Sequence, residues 1–178
     1  MTPPPPKLLL TGDPGSGKTT AIRRVVERLD GRIPMCGFFT EELREGSRRV
    51  GFRGVTLDGR DFLLAHVRSA GSARIGPYGV DLQGLETIGL ASTVPAGPGT
   101  LVVVDEIGKM ECLSESFKAR MIELLDDASP LLATVAAVGV GFVKRVKQHP
   151  RARLLTVSRG GSEAMAAEIV RAIEGGLR

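Results

Sequence analysis

The segment Gly12–Thr19, GDPGSGKT, constrains this chain more than any other feature. It matches the pattern G-x-x-x-x-G-K-[ST], a loop whose glycines let successive backbone N–H groups turn toward phosphate oxygens. A short apolar run, Lys7–Thr11, precedes it, and apolar residues at helical spacing follow between Lys18 and Leu29. The order strand, Gly-rich loop, helix suits such a loop, because the helix points the positive end of its dipole at the bound anion. The sequence therefore predicts a binding site for the phosphates of a nucleotide.

The side chains of this loop have separate predicted tasks. Lys18 is expected to reach the β- and γ-phosphates, and the hydroxyl of Thr19 is expected to bind Mg²⁺. Pro14 lacks an N–H group and stiffens the loop. The predicted nucleotide-binding residues of this segment are Gly12, Asp13, Pro14, Gly15, Ser16, Gly17, Lys18, Thr19 and Thr20.

A second apolar run, Leu101–Val104, ends in two acidic residues, Asp105 and Glu106. We expect this strand to lie beside the first strand, so that Asp105 stands at the carboxyl end of the sheet and holds Mg²⁺ or one of its waters. Glu106 would then orient or polarise a water molecule for attack on the γ-phosphate. Asp105, Glu106 and Gly108 complete the predicted nucleotide contacts, and Thr19 and Asp105 are the predicted metal ligands.

The remaining elements predict an α/β fold. Residues 36–57 alternate in polarity and are rich in Phe, Thr and Val, which predicts a β-hairpin. Residues 58–100 are Gly- and Pro-rich and hard to assign apart from a strand near 62–65 and a helix interrupted by glycines at 81–90. The later predicted elements are a helix at 115–125 capped by Ser114, a strand at 131–138, a short helix at 141–148, a strand at 154–157 and a closing helix capped by Ser162. This alternation predicts a three-layer P-loop NTPase with a mostly parallel sheet and an antiparallel hairpin extension.

Length and composition limit the other possibilities. The 178 residues suit one domain, expected at 7–178 after a disordered Pro-rich tail of residues 1–6. The net charge is +4 without a basic block, so no clear nucleic-acid site is predicted. No apolar run is long enough to span a bilayer. Cys36 and Cys112 lack metal-site spacing and do not form a disulfide framework, which favours a cytoplasmic location.

Several segments, taken in order, resemble the small nucleoside triphosphatases that include thermophile nucleotide phosphatases and the human cancer-related nucleoside triphosphatase. They are the P-loop, Gly37–Arg44 (GFFTEELR), Arg49–Phe52 (RVGF), Arg74–Asp81 (RIGPYGVD) and Asp105–Glu111 (DEIGKME), and the likeness covers nearly the whole chain, most weakly after Val138. The resemblance implies a RecA-like fold with a hairpin extension. It also implies slow, Mg²⁺-dependent hydrolysis of nucleoside triphosphates (ATP, GTP, CTP, UTP and TTP, with loose base specificity) to diphosphate and phosphate.

The resemblance also implies roles for basic residues. Arg44, Arg53 or Arg74 would neutralise charge on the transferring phosphoryl group, and Lys109 would do the same from beside Glu106, with surface salt bridges as the alternative for each. The predicted catalytic residues are Glu106, Lys18, Lys109 and Arg44.

Three further positions have two interpretations each. Tyr78 stacks on a base or packs in the protein, and Thr134 senses the γ-phosphate or forms a buried, satisfied hydroxyl. Family members often carry an Asn-Arg pair after the last strand, where this chain has Ser158–Ser162, SRGGS. This departure leaves the base preference open.

Three functions are compatible with these patterns: a nucleoside triphosphatase, a P-loop kinase that uses the Arg-bearing region 44–74 as a lid, and a non-enzymatic nucleotide-dependent switch. The Asp105-Glu106 pair favours the triphosphatase, because it suits activation of water. The chain contains no Asn, which excludes the Asn-Lys-x-Asp element of Ras-type GTPases. The expected partner is a nucleoside triphosphate, and the sequence does not determine the oligomeric state.

Overall fold

The structure is a computed structural model that describes residues 4–176. Within this range the strands are β1 (Lys7–Thr11), β2 (Met35–Glu45), β3 (Arg48–Thr56), β4 (Asp61–His66), β5 (Arg74–Ile75), β6 (Tyr78–Val80), β7 (Leu101–Ile107), β8 (Leu131–Val135) and β9 (Ala152–Thr156). The helices are α1 (Lys18–Leu29), α2 (Leu82–Gly84), α3 (Glu115–Asp126), α4 (Phe142–Lys147) and α5 (Ser162–Gly176). A π-helical segment (Leu85–Gly89) and two 3₁₀ turns (Ala91–Thr93 and Glu111–Leu113) complete them.

The predicted tail of residues 1–6 is covered only in part, since residues 1–3 lie outside the described residues. At its end, the carbonyl of Pro6 accepts a hydrogen bond of 3.0 Å from the N–H of Leu131.

The described strands form one sheet in the order β5-β6-β4-β3-β2-β7-β8-β1-β9. The five strands β2, β7, β8, β1 and β9 pair in parallel. This arrangement confirms the predicted α/β fold with a mostly parallel core. It brings the carboxyl ends of these strands to one edge, where open α/β sheets bind their ligands.

The strand that carries Asp105 does not lie beside the P-loop strand, and that prediction was wrong. β8 lies between them and pairs with β1 at Leu8–Leu132 and with β7 at Val103–Leu132. Every residue of β8 is buried. A strand that is apolar on both faces is most stable in the interior of a covered sheet, and this explains why it occupies the position between the two.

Antiparallel strands extend the sheet beyond β2. β2 and β3 form the predicted hairpin, and β2 is also a member of the parallel core through its pairing with β7. β4, β6 and β5 continue outward in antiparallel order, so the extension is larger than one hairpin. β5 and β6 have only two and three residues around a turn at Gly76, which is too short for an alternating pattern to show in the sequence.

The two faces of the sheet carry separate apolar layers. Leu8 and Leu10 of β1 face the layer formed with α1 and α5, whereas Leu9 faces the layer formed with α3 and α4. This alternation in a fully buried strand is what a sheet covered on both faces requires. In the described part of the chain, no helix combines the length and the apolar character needed to cross a bilayer.

Candidate active site

The loop between β1 and α1 is built from backbone that needs glycine. Gly12, Gly15 and Gly17 have φ angles of 149°, 75° and 101°, a region that other residues rarely adopt. A Cβ atom on Gly12 would also lie 2.5 Å from the carbonyl oxygen of Val157, which follows β9. α1 begins directly after Gly17, so its first unpaired N–H groups border the loop. The structure therefore has the backbone of a phosphate-binding loop.

Lys18 lies over this loop. Its Nζ donates hydrogen bonds to the carbonyl oxygens of Gly12 (2.8 Å) and Asp13 (3.2 Å). Burial and the charge of Asp105 raise the pKa of Glu106, and the positive charge of Lys18 opposes that rise; Lys18 and Glu106 line the same cavity, described below. The sequence prediction that these two residues share a site is thus consistent with their placement.

Asp105 is buried at the carboxyl end of β7. Its Oδ1 accepts a hydrogen bond from the hydroxyl of Thr134 on β8. Burial raises the pKa of Asp105, while the hydroxyls of Thr134 and Thr19 and the charge of Arg23 act in the opposite direction. The hydroxyl of Thr134 is therefore buried and satisfied, which is one of the two interpretations given above. Its hydrogen-bond partner is Asp105, the predicted metal ligand.

The predicted ligands Thr19 and Asp105 lie near each other, because the hydroxyl of Thr19 acts to lower the pKa of the Asp105 carboxyl. Oδ2 of Asp105 is buried without a hydrogen-bond partner among the described residues. A buried carboxylate oxygen is costly unless it is paired, and a hard cation would satisfy it. Mg²⁺ takes oxygen ligands and is commonly held by one or two protein groups together with substrate phosphates. The two residues fit such an ion.

No group of three or more His, Cys, Asp or Glu side chains within residues 4–176 is arranged to enclose a metal.

Glu106 follows Asp105 and is half-buried. Burial and then the charge of Asp105 raise its pKa, whereas Lys18 lowers it. A Cβ atom on Gly108 would lie 2.9 Å from Oε1 of Glu106 and 3.0 Å from Oε2 of Glu111. Because Gly108 has no side chain, it leaves space for the carboxyl groups of Glu106 and Glu111. Gly108 is not part of the lining of the cavity described below.

A cavity of about 380 Å³ joins these features. From the predicted site, its lining includes Pro14, Gly15, Gly17, Lys18, Thr19, Thr20 and Glu106. Of the other predicted nucleotide contacts, Gly12 and Asp13 supply carbonyls to Lys18, and Ser16 and Asp105 are buried behind the lining. The volume lies within the range of small-molecule sites, about 300–1,000 Å³.

The opposite side of this cavity is formed by the hairpin extension. Thr40, Glu41, Glu42 and Phe52 line it, and we call these four residues the hairpin wall. The prediction from sequence did not include them. All four belong to segments that resemble the family, Thr40, Glu41 and Glu42 to Gly37–Arg44 and Phe52 to Arg49–Phe52, and that resemblance was the available signal.

Ion pairs hold the hairpin wall. Glu41 accepts hydrogen bonds from Arg53 (2.9 Å) and from Arg23 of α1 (2.8 Å). The hydrogen bond from Arg53 is the largest cause of the lowered pKa of Glu41, and Arg23 lowers it further. The guanidinium of Arg23 also lies 4.5 Å from the centre of the Phe39 ring. Because Arg23 belongs to the helix that follows the P-loop, Glu41 ties the hairpin to that helix.

The other predicted basic residues are not in the cavity lining. Arg44 is exposed and pairs with Glu42 (2.7 Å), and it also donates to the carbonyl of Ser47 (2.9 Å). Arg74 donates to backbone carbonyls of its own turn. Lys109 lines a separate cavity of about 480 Å³. The catalytic roles of Arg44 and Lys109 stay predictions, and in this conformation both would have to move to reach the P-loop.

Tyr78 packs within the extension. Its ring lies edge-on to Phe52 with centroids 5.4 Å apart, and its hydroxyl accepts a hydrogen bond from Arg49 (3.1 Å). This placement agrees with the packing interpretation. Tyr78 packs against Phe52, which belongs to the hairpin wall.

Comparison with known proteins gives a consistent result. A family model described as NTPase matches residues 7–170. The chain is 36% identical to nucleoside-triphosphatase THEP1 of Thermotoga maritima over 165 residues, which cover 92% of this chain and 93% of that protein. It is 32% identical to the human cancer-related nucleoside-triphosphatase over 182 residues, with 94% and 96% covered.

Solved structures show the same relationship. The crystal structure of THEP1 from Aquifex aeolicus has a TM-score of 0.85 and 30% identity, and the match covers 94% of this chain and 99% of that chain. The solution structure of the human cancer-related nucleoside triphosphatase has a TM-score of 0.80 and 32% identity, with 95% and 97% covered. This chain therefore belongs to the NTPase family, as its resemblance to the small nucleoside triphosphatases predicted.

Proposed function

We propose that this chain hydrolyses nucleoside triphosphates to diphosphate and phosphate with Mg²⁺, slowly and with loose base preference. The observation that carries the proposal is the position of Glu106, which lines the same cavity as Lys18 and Thr19 of the P-loop. A half-buried carboxyl facing the phosphate-binding loop is the group that hydrolysis requires, because the reaction needs a positioned water. The names of the related proteins support this choice.

The P-loop binds the triphosphate in this proposal. Its N–H groups and the N-terminus of α1 donate to the phosphate oxygens, and Lys18 exchanges its contacts with the carbonyls of Gly12 and Asp13 for the β- and γ-phosphates. Thr19 and Asp105 hold Mg²⁺, which when bound neutralises charge on the phosphate oxygens. The hydrogen bond from Thr134 keeps Asp105 in one orientation for this task.

Glu106 orients the attacking water by accepting a hydrogen bond from it. The water oxygen forms a bond to the γ-phosphorus while the bond from that phosphorus to the β–γ bridging oxygen breaks. The nucleoside diphosphate leaves with the electron pair of that bond. The released phosphate keeps the water oxygen and one of its protons, and the second proton passes to a phosphate oxygen or to solvent. Lys18 favours the ionised, accepting form of Glu106.

Loose base preference is supported by the loop after β9. This loop, Ser158–Ser162, lies against the P-loop, since a Cβ on Gly17 would lie 3.3 Å from Cβ of Ser162. It contains SRGGS in place of the family's Asn-Arg pair, so it offers only Arg159 as a long polar side chain. A loop with so few base-reading groups would discriminate weakly among bases.

A kinase is the second candidate, and the hairpin wall is the observation that favours it. The wall faces the P-loop across the cavity and carries Thr40, Glu41 and Glu42, polar groups able to contact an acceptor's hydroxyl. In that case water would be excluded, and the γ-phosphoryl group would leave the nucleotide only by transfer to the acceptor's hydroxyl.

The deciding measurement is phosphate release from a panel of ATP, GTP, CTP, UTP and TTP with Mg²⁺ and no acceptor. We expect release from several of them by the wild-type protein. Lys18→Ala should weaken binding of a fluorescent triphosphate about 10-fold or more, because charge-assisted hydrogen bonds to phosphate are lost. Tight binding without any release by the wild-type protein would reject the triphosphatase and favour the kinase or the nucleotide-dependent switch.

A further inference from the structure

One buried carboxyl near the cavity has no part in the reaction as proposed so far. The side chain of Glu111 is 5% exposed and stands at the start of the 3₁₀ turn Glu111–Leu113. None of the ion pairs formed within residues 4–176 includes it. Fully buried acids are rare unless they are paired, so an unpaired one next to an active site points to a task there.

The turn after β7 brings this carboxyl back to Glu106. The N–H of Cys112 donates to the carbonyl of Gly108 (3.1 Å), and the N–H of Ser114 donates to the carbonyl of Glu111 (3.1 Å). Oε1 of Glu106 and Oε2 of Glu111 lie 2.9 Å and 3.0 Å from the point where a Cβ on Gly108 would be. The two oxygens are therefore no more than about 6 Å apart, close enough for direct interaction or for one bridging water.

The chemistry of the pair is asymmetric. Burial raises the pKa of Glu111 to about 8, and the charges of Glu106 and Asp105 act in the same direction. The N–H groups of Glu111 and Gly108 oppose this shift but do not cancel it. At neutral pH Glu111 is accordingly mostly a neutral acid with one O–H donor. The nearby acceptor is the carboxylate of Glu106.

We propose that Glu111 is a positioning residue, which donates a hydrogen bond to the carboxylate of Glu106, directly or through one water, and holds it toward the attacking water. This inference rests on the hydrolysis proposed above. Glu106 lines the cavity and Glu111 is buried near it, so a hydrogen bond between the two carboxyls would restrict the rotation of the Glu106 side chain. A catalytic group held in this way loses little entropy when the water is bound.

The test compares substitutions that differ in their ability to donate. Glu111→Gln keeps an N–H donor and similar size, whereas Glu111→Leu keeps similar volume without a donor. We expect Glu111→Leu to lower kcat for phosphate release about 10- to 100-fold, the usual effect of removing a supporting hydrogen bond. KM and the affinity for a fluorescent triphosphate should change less than about 3-fold, and Glu111→Gln should restore kcat to within about 3-fold of wild type.

Two additions keep the result interpretable. Glu115→Gln is the matched control, because Glu115 lies four residues further on, is exposed and pairs with Lys118, and it should leave kcat unchanged. If Glu111→Leu does not fold, as judged by thermal unfolding, Glu111→Asp replaces it. This variant keeps the acid but withdraws it by one methylene, and it should also lower kcat while Glu111→Gln does not.

The outcomes separate the two proposals. Wild-type kcat in a folded Glu111→Leu or Glu111→Asp protein would overturn the positioning role while leaving the triphosphatase intact, provided that Glu106→Gln is inactive. Equal losses of kcat in Glu111→Gln and Glu111→Leu, in step with their losses of stability, would indicate a purely structural role. Absence of phosphate release by the wild-type protein would overturn both proposals.

Discussion

Two groups of carboxyls lie in or behind the lining of the same cavity and have opposite properties. The inner carboxyls, Asp105, Glu106 and Glu111, have raised pKa values, and burial is the largest cause in each case. The hairpin carboxyls, Glu41 and Glu42, have lowered pKa values because arginine side chains donate hydrogen bonds to them. The residue type is nearly the same, so the environment alone decides the direction of the shift.

The two groups of carboxyls also differ in their partners, which suggests structural support for the hairpin group and catalysis for the inner group. Each hairpin carboxyl is satisfied by two arginines, Glu41 by Arg53 and Arg23, and Glu42 by Arg49 and Arg44. The inner carboxyls have no arginine or lysine partner within the described ion pairs. Buried acids without partners destabilise a fold, and proteins keep them where a cation, a phosphate or a proton is handled. We therefore expect substitutions on the two sides to have different effects.

The largest difference is expected in turnover. Glu106→Gln should lower kcat for phosphate release about 100-fold or more, since positioned acid–base groups contribute about 10²–10⁴-fold. Glu42→Gln, the matched change on the hairpin wall, should change kcat less than about 3-fold, because it removes only the two exposed ion pairs with Arg44 and Arg49. Both variants should bind a fluorescent triphosphate as the wild type does. Similar losses of kcat would show that the hairpin carboxyls take part in the chemistry.

The next effect concerns stability against pH. The pKa of Glu111 is raised from 4.5 to about 8 in the folded protein, so between these values the folded chain holds a proton that the unfolded chain has released. The free energy of unfolding should therefore fall by about a few kcal/mol as the pH rises through this range and then level off.

Urea unfolding of nucleotide-free protein at intervals from pH 5 to pH 9 measures this dependence. Glu111→Gln removes the group, so the difference between wild type and variant isolates its contribution from those of Asp105 and Glu106. Parallel curves for the two proteins would contradict a raised pKa at Glu111.

A smaller effect is expected at the glycine between the inner carboxyls. A methyl group in Gly108→Ala would lie 2.9 Å from Oε1 of Glu106 and 3.0 Å from Oε2 of Glu111, so the ends of both side chains must shift. We expect kcat to fall about 10-fold, with a change in the free energy of unfolding below about 1 kcal/mol because only flexible side-chain ends are displaced.

Gly97→Ala provides the control, since a Cβ there meets no atom within 4 Å. Steady-state kinetics and urea unfolding of both variants would check the expectation. An unchanged kcat in Gly108→Ala would mean that the position of the inner carboxyls matters little for turnover.

The smallest effect is expected from the ion pairs of the hairpin wall. Glu41→Gln removes the ion pairs of Glu41 with Arg23 and Arg53. The free energy of unfolding should therefore fall by about 1 kcal/mol or less, as for other partly exposed ion pairs. The loss should diminish at about 1 M salt, where the Debye length is only about 3 Å. A larger loss, insensitive to salt, would show that the hairpin depends on Glu41 through packing.

The sequence predicted the elements of the parallel core well. The bounds of β1 and α1 were confirmed at both ends, and Ser114 caps α3 as expected by accepting a hydrogen bond from the N–H of Phe117 (3.0 Å). These features depend on contiguous residues, so local periodicity and capping chemistry suffice to predict them. The short strands β5 and β6 were not predicted, because their pairing and not their composition makes them strands.

The site was predicted in part for the same reason. Its P-loop side is one contiguous motif, and the residues that line the cavity there were all expected. Arg53 illustrates the limit: it was assigned from a resemblance, but its pairing with Glu41 depends on the register of β2 with β3, which places these two side chains opposite each other. A one-residue change of register would have exchanged the faces on which these side chains lie.

By itself, then, the sequence determined the phosphate-binding loop, the acidic end of β7 and the α/β class, because each follows from residues adjacent along the chain. Only the tertiary structure decided that β8 separates the two motif strands, that the hairpin wall faces the P-loop, and that Glu111 returns to Glu106. Those arrangements join segments far apart in sequence or fold a turn back on itself. They depend on which strands pair and which apolar faces pack together across the whole fold, and a local sequence pattern does not contain this information.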